Sequence, residues 1–118
     1  MSAYKIMVAD NFHYMEEDER SEYGTFATAE EALDTCRRLV DESLLAEYQD
    51  GETADQLLDR YTSFGDDPFV VALAAAPKIE FSAATYARQR VQDLAAPGEE
   101  GARHRQRVLD RKRSLSGR

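Results

Sequence analysis

Few residues in this chain suit covalent, redox or metal chemistry. A single cysteine, Cys36, excludes an internal disulfide. The only histidines are His13 and His104, and neither forms a recognised motif with Cys36. Walker, GxGxxG, HExxH, GxSxG and paired CxxC signatures are all missing, which lowers the case for an enzyme. No apolar run approaches the ~18 residues of a transmembrane helix, so no membrane partner is expected. The opening MSAYKIMVAD lacks a basic stretch followed by a long apolar one. No signal peptide is therefore expected, and the cytoplasm is the expected compartment.

What is present is a small acidic chain. Its 118 residues, 42% apolar and 32% charged, suit one domain with one modest core. The charge is uneven. Met1 to Ala96 holds 20 acidic and 8 basic residues, a net of −12. Pro97 to Arg118 holds 3 acidic and 7 basic residues, a net of +4. The division expected is a compact body, 1–96, and a basic, weakly structured tail, 97–118. An acidic body disfavours nucleic acid and anionic membrane, leaving the tail as the expected route to nucleic acid.

The longest periodic stretch runs from Thr28 to Tyr48. Thr28 and Glu31 have capping-box spacing, and Glu30 and Glu31 place negative charge at the positive end of the helix dipole. Ala29, Ala32, Leu33, Cys36, Leu39, Val40, Leu44 and Tyr48 recur at helical spacing. Asp34, Arg37, Arg38, Asp41 and Glu42 take the other face. Asp50-Gly51 ends the helix. Its dry face needs a cover.

Tyr4 to Ala9 alternates with good β propensity and reads as a first strand. Residues 16–20, EEDER, read as an exposed hairpin loop, and Glu22 to Ala27 as a second strand. Thr53 and Gln56 again have capping-box spacing and open a helix over 53–63, expected to pack peripherally. FGDDP, 64–68, reads as a loop, because Gly65 breaks a helix and Pro68 restricts Asp67. Phe69 to Leu73 is a short apolar run, read as a buried third strand. Ser82 caps a last helix to residue 95. The expected fold is α+β, in ββααβα order. A small, mostly antiparallel three-stranded sheet is packed on one face by helices.

The stretches DNFHYMEEDER (10–20), YGTF (23–26), AEEALDTCRRLVDESL (29–44), FGDDPFV (64–70) and FSAATYARQRVQDL (81–94) together resemble a family of small uncharacterised bacterial proteins. The resemblance spans roughly residues 4–95 and implies a compact bacterial α+β domain. It implies no reaction and carries over no catalytic residue.

Four groups of residues are candidates for function. Asp10, His13, Glu16 and Glu17 could hold a divalent metal if a bulge at Asn11 converged them, since on a regular strand Asp10 and His13 point to opposite faces. The plainer reading is a solvated hairpin end. Asp66 and Asp67 could share a proton or a cation, or simply cap backbone N–H groups. Phe12, Tyr14, Tyr23 and Phe26 offer aromatic area for a protein interface or for the core. Arg103, Arg105, Arg107, Arg111, Lys112 and Arg113 form a basic cluster, either a solvated end or a contact to nucleic acid. Cys36 falls on the apolar face, where a cysteine is usually a small hydrophobe.

No cofactor is expected. The leading expectation is a non-enzymatic protein-interaction or regulatory domain with a protein partner or, through its open sheet edges, a second copy. Next come a small metal-binding protein or enzyme using the 10–17 cluster, and a nucleic-acid accessory protein acting through the tail.

Overall fold

A computed structural model describes residues 2–10 and 21–116. In chain order the elements are β1 (Tyr4–Asp10), β2 (Ser21–Phe26), α1 (Ala29–Glu47), α2 (Ala54–Phe64), β3 (Asp66–Ala72), α3 (Ala83–Leu94) and α4 (Gly98–Ser116). The class is α+β. β1 is the central strand of an antiparallel sheet ordered β2-β1-β3. The EEDER stretch lies outside the described residues.

The helix starts follow the side chains that cap them. Thr28 Oγ1 accepts the Glu31 N–H at 3.1 Å, opening α1. Glu31 answers the Thr28 hydroxyl at 3.0 Å, where a full capping box would answer its backbone. At α2 the box is complete: Gln56 N–H donates to Thr53 Oγ1 at 3.2 Å and Thr53 N–H to Gln56 Oε1 at 3.0 Å. Ser82 Oγ accepts the Thr85 N–H and opens α3. α1 ends at Tyr48, and Gly51 adopts φ 81 in the following turn, a conformation that costs glycine little.

α1 divides its length between two cores. Ala32 and Cys36 lie against Tyr4 and Ile6 of β1, with Phe26, Val70 and Ala72 partly buried around them. Val40 and Leu44 belong to a second cluster with Leu57 and Tyr61 of α2, Ala83, Ala87, Val91 and Leu94 of α3, and Val108 of α4. Phe81 packs against both.

Three sequence expectations need correction. α2 is not peripheral to the core, because Leu57 and Tyr61 are almost wholly buried, although it packs on helices rather than on the sheet. FGDDP is not a loop. Asp66 and Asp67 begin β3 and pair with Asp10 and Ala9 of β1, and Pro68 pairs with Val8. β3 is an outer strand, where a proline's missing N–H is tolerated. Gly65 alone joins α2 to β3, and a Cβ there would lie 2.3 Å from Tyr61 Cδ1, so the joint needs a residue without one. Finally, the stretch read as weakly held forms a 19-residue helix, α4, packed on α1 and α3. Its anchors are not apolar residues alone. Val108 is buried, Gly101 sits against the Ala96 carbonyl, and Arg105 folds inward.

Candidate functional site

β2 is the outermost strand on its side of the sheet. Its register against β1 shifts between Ile6, opposite Gly24, and Met7, opposite Glu22. Tyr23 is thus the extra residue of a bulge, which turns its side chain out of the regular alternation. Tyr23 remains 46% exposed. It is held there by α1. Arg38 Nη2 donates to the Tyr23 hydroxyl at 2.5 Å, and the guanidinium carbon lies 5.8 Å from the ring centroid. Glu42, one turn on, fixes Arg38 at 2.8 Å. Lys5 and Glu22 pair loosely at 3.9 Å beside it. The result is an aromatic ring in solvent whose rotamer is set by a buttress from the helix behind. Such a ring loses little conformational freedom on binding.

Phe26, the other described aromatic of the predicted set, is half-buried and packs into the sheet core. Phe12, Tyr14, His13, Glu16 and Glu17 lie outside the described residues, as does any convergence of the last three with Asp10. Among the described residues no group of three or more histidines, cysteines or carboxylates is placed to hold a metal ion. Asp66 opens β3, its N–H donating to Ser43 Oγ at 3.0 Å and its carbonyl accepting the Tyr61 hydroxyl at 2.5 Å. Cys36 is buried, and burial pushes its thiol up to about 12. At neutral pH it stays protonated, which is the opposite of an activated nucleophile.

The basic cluster divides by direction. Arg105 turns inward: its Nη1 donates to the Leu94 carbonyl at 2.6 Å and its guanidinium stacks 4.3 Å over the Tyr48 ring. Arg111 pairs with Asp34 of α1. Arg103, Arg107, Lys112 and Arg113 stay exposed.

Two charged clusters escaped the sequence reading. Asp41, assigned there to the outer face of α1, lies in the seam with α3. Its Oδ1 accepts the Tyr86 hydroxyl at 2.9 Å and Arg90 Nε at 2.9 Å. Burial raises the Asp41 carboxyl above its ordinary range, and the neighbouring Arg90 only partly offsets that. The signal available was modest: an Asp on α1 and an Arg with a Tyr on α3 can pair only once the fold is known. Glu52 is likewise buried and fully engaged, receiving Arg60 Nη2 at 2.8 Å and the Gln49 N–H at 3.1 Å. The Asp41 cluster clamps α1 to α3, the Glu52 cluster ties the turn after α1 to α2, and each carboxylate is committed to a cation.

Comparisons with protein-family models, with curated proteins and with solved structures find no match to this chain. No helix among the described residues is long and apolar enough to cross a membrane.

Proposed function

We propose that the chain is a non-enzymatic protein-interaction domain whose docking surface is the outer edge of β2, with Tyr23 as its anchor. The carrying observation is the pinned, exposed ring of Tyr23 on an outermost strand. Tyrosine is favoured at the centre of protein interfaces because it brings large area with a polar end. The edge adds main-chain groups for which no described element provides a partner strand. On this reading the domain works in the bacterial cytoplasm and needs no cofactor. A second copy pairing the same edge would be a symmetric form of the same contact.

The test is capture from a bacterial lysate with the full chain and its Tyr23→Ala variant, alongside a thermal melt of each. The expected result is a nuclease-resistant protein partner held by the native chain and lost by the variant, with matching melts. A partner held equally by both would remove the assignment to Tyr23. Sedimentation of the native chain alone separates a second copy from a foreign partner.

A further inference from the structure

We propose that Gly24 of β2 is a notch for one large apolar side chain of an incoming strand, so that the partner of this edge is an extended, basic segment with an aromatic residue opposite Gly24. The inference rests on the reading of the β2 edge as a docking surface and names what docks there.

The fold itself gives no reason for this glycine. It stands inside a strand, where glycine costs backbone entropy and offers no side chain to pack. Among the described residues, the glycines with positive φ are Gly51 and Gly98. At Gly65 and Gly101 a Cβ would lie 2.3 Å from the Tyr61 ring and 1.8 Å from the Ala96 carbonyl oxygen. Gly24 has neither reason. A Cβ there would meet, among the described residues, only the Phe26 ring at 3.8 Å, an ordinary contact. The bulge at Tyr23 does not call for glycine either, because only the bulge type with a left-handed residue does. A strand glycine without such a reason marks a place where another chain approaches closely.

The missing side chain leaves a gap with walls. Gly24 pairs with Ile6, which is buried against α1, so Gly24 faces the helix side of the sheet. Phe26, two residues on, shares that face. Tyr23 leans to it as well, because its hydroxyl meets Arg38 of α1. Along the rim of the sheet the order is an exposed ring, a gap, and a half-buried ring. A strand added beside β2 places the residue opposite Gly24 on this face, over the gap. An aromatic residue there restores the packing that an edge glycine lacks.

Charge sets the rest of the partner. On the other face Glu22 is 56% exposed, and Lys5 reaches it only at 3.9 Å. Arg38 is held by Glu42. The uncommitted charge of the edge is therefore negative, as is the net charge of residues 1–96. In the added strand the residues flanking the aromatic one fall on the face of Glu22, where lysine or arginine complements it.

The experiment has two arms, both on the full chain. Thermal melts compare the native chain with Gly24→Ala. Alanine at a compatible extended position narrows the unfolded ensemble, so Tm should rise by about 2–4 °C. A fall in Tm would show that the fold needs the glycine and would overturn the proposal. The second arm is a peptide titration followed by the backbone amide NMR shifts of β2. The probes are two short peptides that alternate lysine with threonine and differ only at the centre, phenylalanine in one and alanine in the other. Their equal charge cancels the general pull of the acidic chain. The phenylalanine peptide should shift the amides of Glu22 to Thr25 and bind the native chain about fivefold tighter. In Gly24→Ala that preference should vanish, because the methyl takes up the gap. Equal binding of both peptides by the native chain overturns the notch. So does a preference that survives Gly24→Ala, or the lack of any shift in β2. None of these outcomes decides the β2 contact itself, which stands or falls on capture by the Tyr23→Ala variant.

Discussion

The two halves of α1 solve different packing problems. The N-terminal half meets the sheet with Ala32 and Cys36, both small, and most of the apolar residues packed around them are only partly buried. The C-terminal half meets α2, α3 and α4 with Val40 and Leu44 and joins, among the described residues, a cluster of nine buried residues, against four on the sheet side. Among the described residues, the sheet half therefore rests on its backbone ladder and on partly buried side chains, and the helical half on buried apolar volume. The proposed contact edge belongs to the thin half. Binding along β2 can then reshape the edge without disturbing most of the core, since local opening follows low apolar contact.

The largest effect should come from the thick half. Leu57→Ala removes a fully buried side chain among closely packed helices and should cost about 2–5 kcal/mol. Cys36→Ala on the sheet side removes one sulfur and should cost about 1 kcal/mol. Urea unfolding of both variants measures the contrast, and equal losses would break it.

Next in size is the joint that holds α4. A Cβ at Gly101 would lie 1.8 Å from the Ala96 carbonyl oxygen, which is backbone and cannot swing aside. Gly101→Ala must displace the start of α4, and overpacking of this kind costs about 1–3 kcal/mol. Hydrogen exchange should show α4 amides losing protection while β1 and β3 keep theirs. Loss spread evenly over sheet and helices would mean that the two halves unfold as one unit.

How much of this the sequence revealed depended on whether the signal was local. Thr53 with Gln56, Ser82 before a periodic run, and the alternation of Tyr4, Ile6 and Val8 are local, and each element they announce is present. β3 was read three residues short because Gly65, Asp66, Asp67 and Pro68 all favour loops. Its pairing with Val8 to Asp10 is a tertiary fact that overrides them. The central place of α2 was hidden because two residues, Leu57 and Tyr61, make a short stripe whatever they meet. α4 was hidden for another reason. Its docking depends on a glycine's lack of a side chain and on the stem and ring contact of an arginine, neither of which hydrophobic periodicity records. At the candidate site Tyr23 could be picked by residue type. The Arg38 that pins it, 15 residues later in α1, became visible only when β2 and α1 were brought side by side.

The smallest effect sharpens the comparison through pH. Cys36 titrates in the sheet cluster; Tyr61 and Tyr86 titrate among the helices, and burial raises all three. A raised acid binds its proton more tightly when folded, so its contribution is complete below the unfolded value and declines as pH rises. For Cys36 that decline spans pH 9 to about 12. The tyrosines start later, from their ordinary value of 10. Between pH 8 and 10 the loss of stability should therefore come mainly from the sheet side, on the order of 1 kcal/mol near pH 10. Cys36→Ala should flatten the stability curve in that window while leaving the steeper fall above it, where Tyr61 and Tyr86 ionise in the unfolded chain and burial keeps them protonated in the fold. Denaturant melts at half-unit steps of pH read this directly. If the variant and the native chain keep the same slope from pH 8 to 10, the Cys36 thiol is not the group that couples the thin core to alkali.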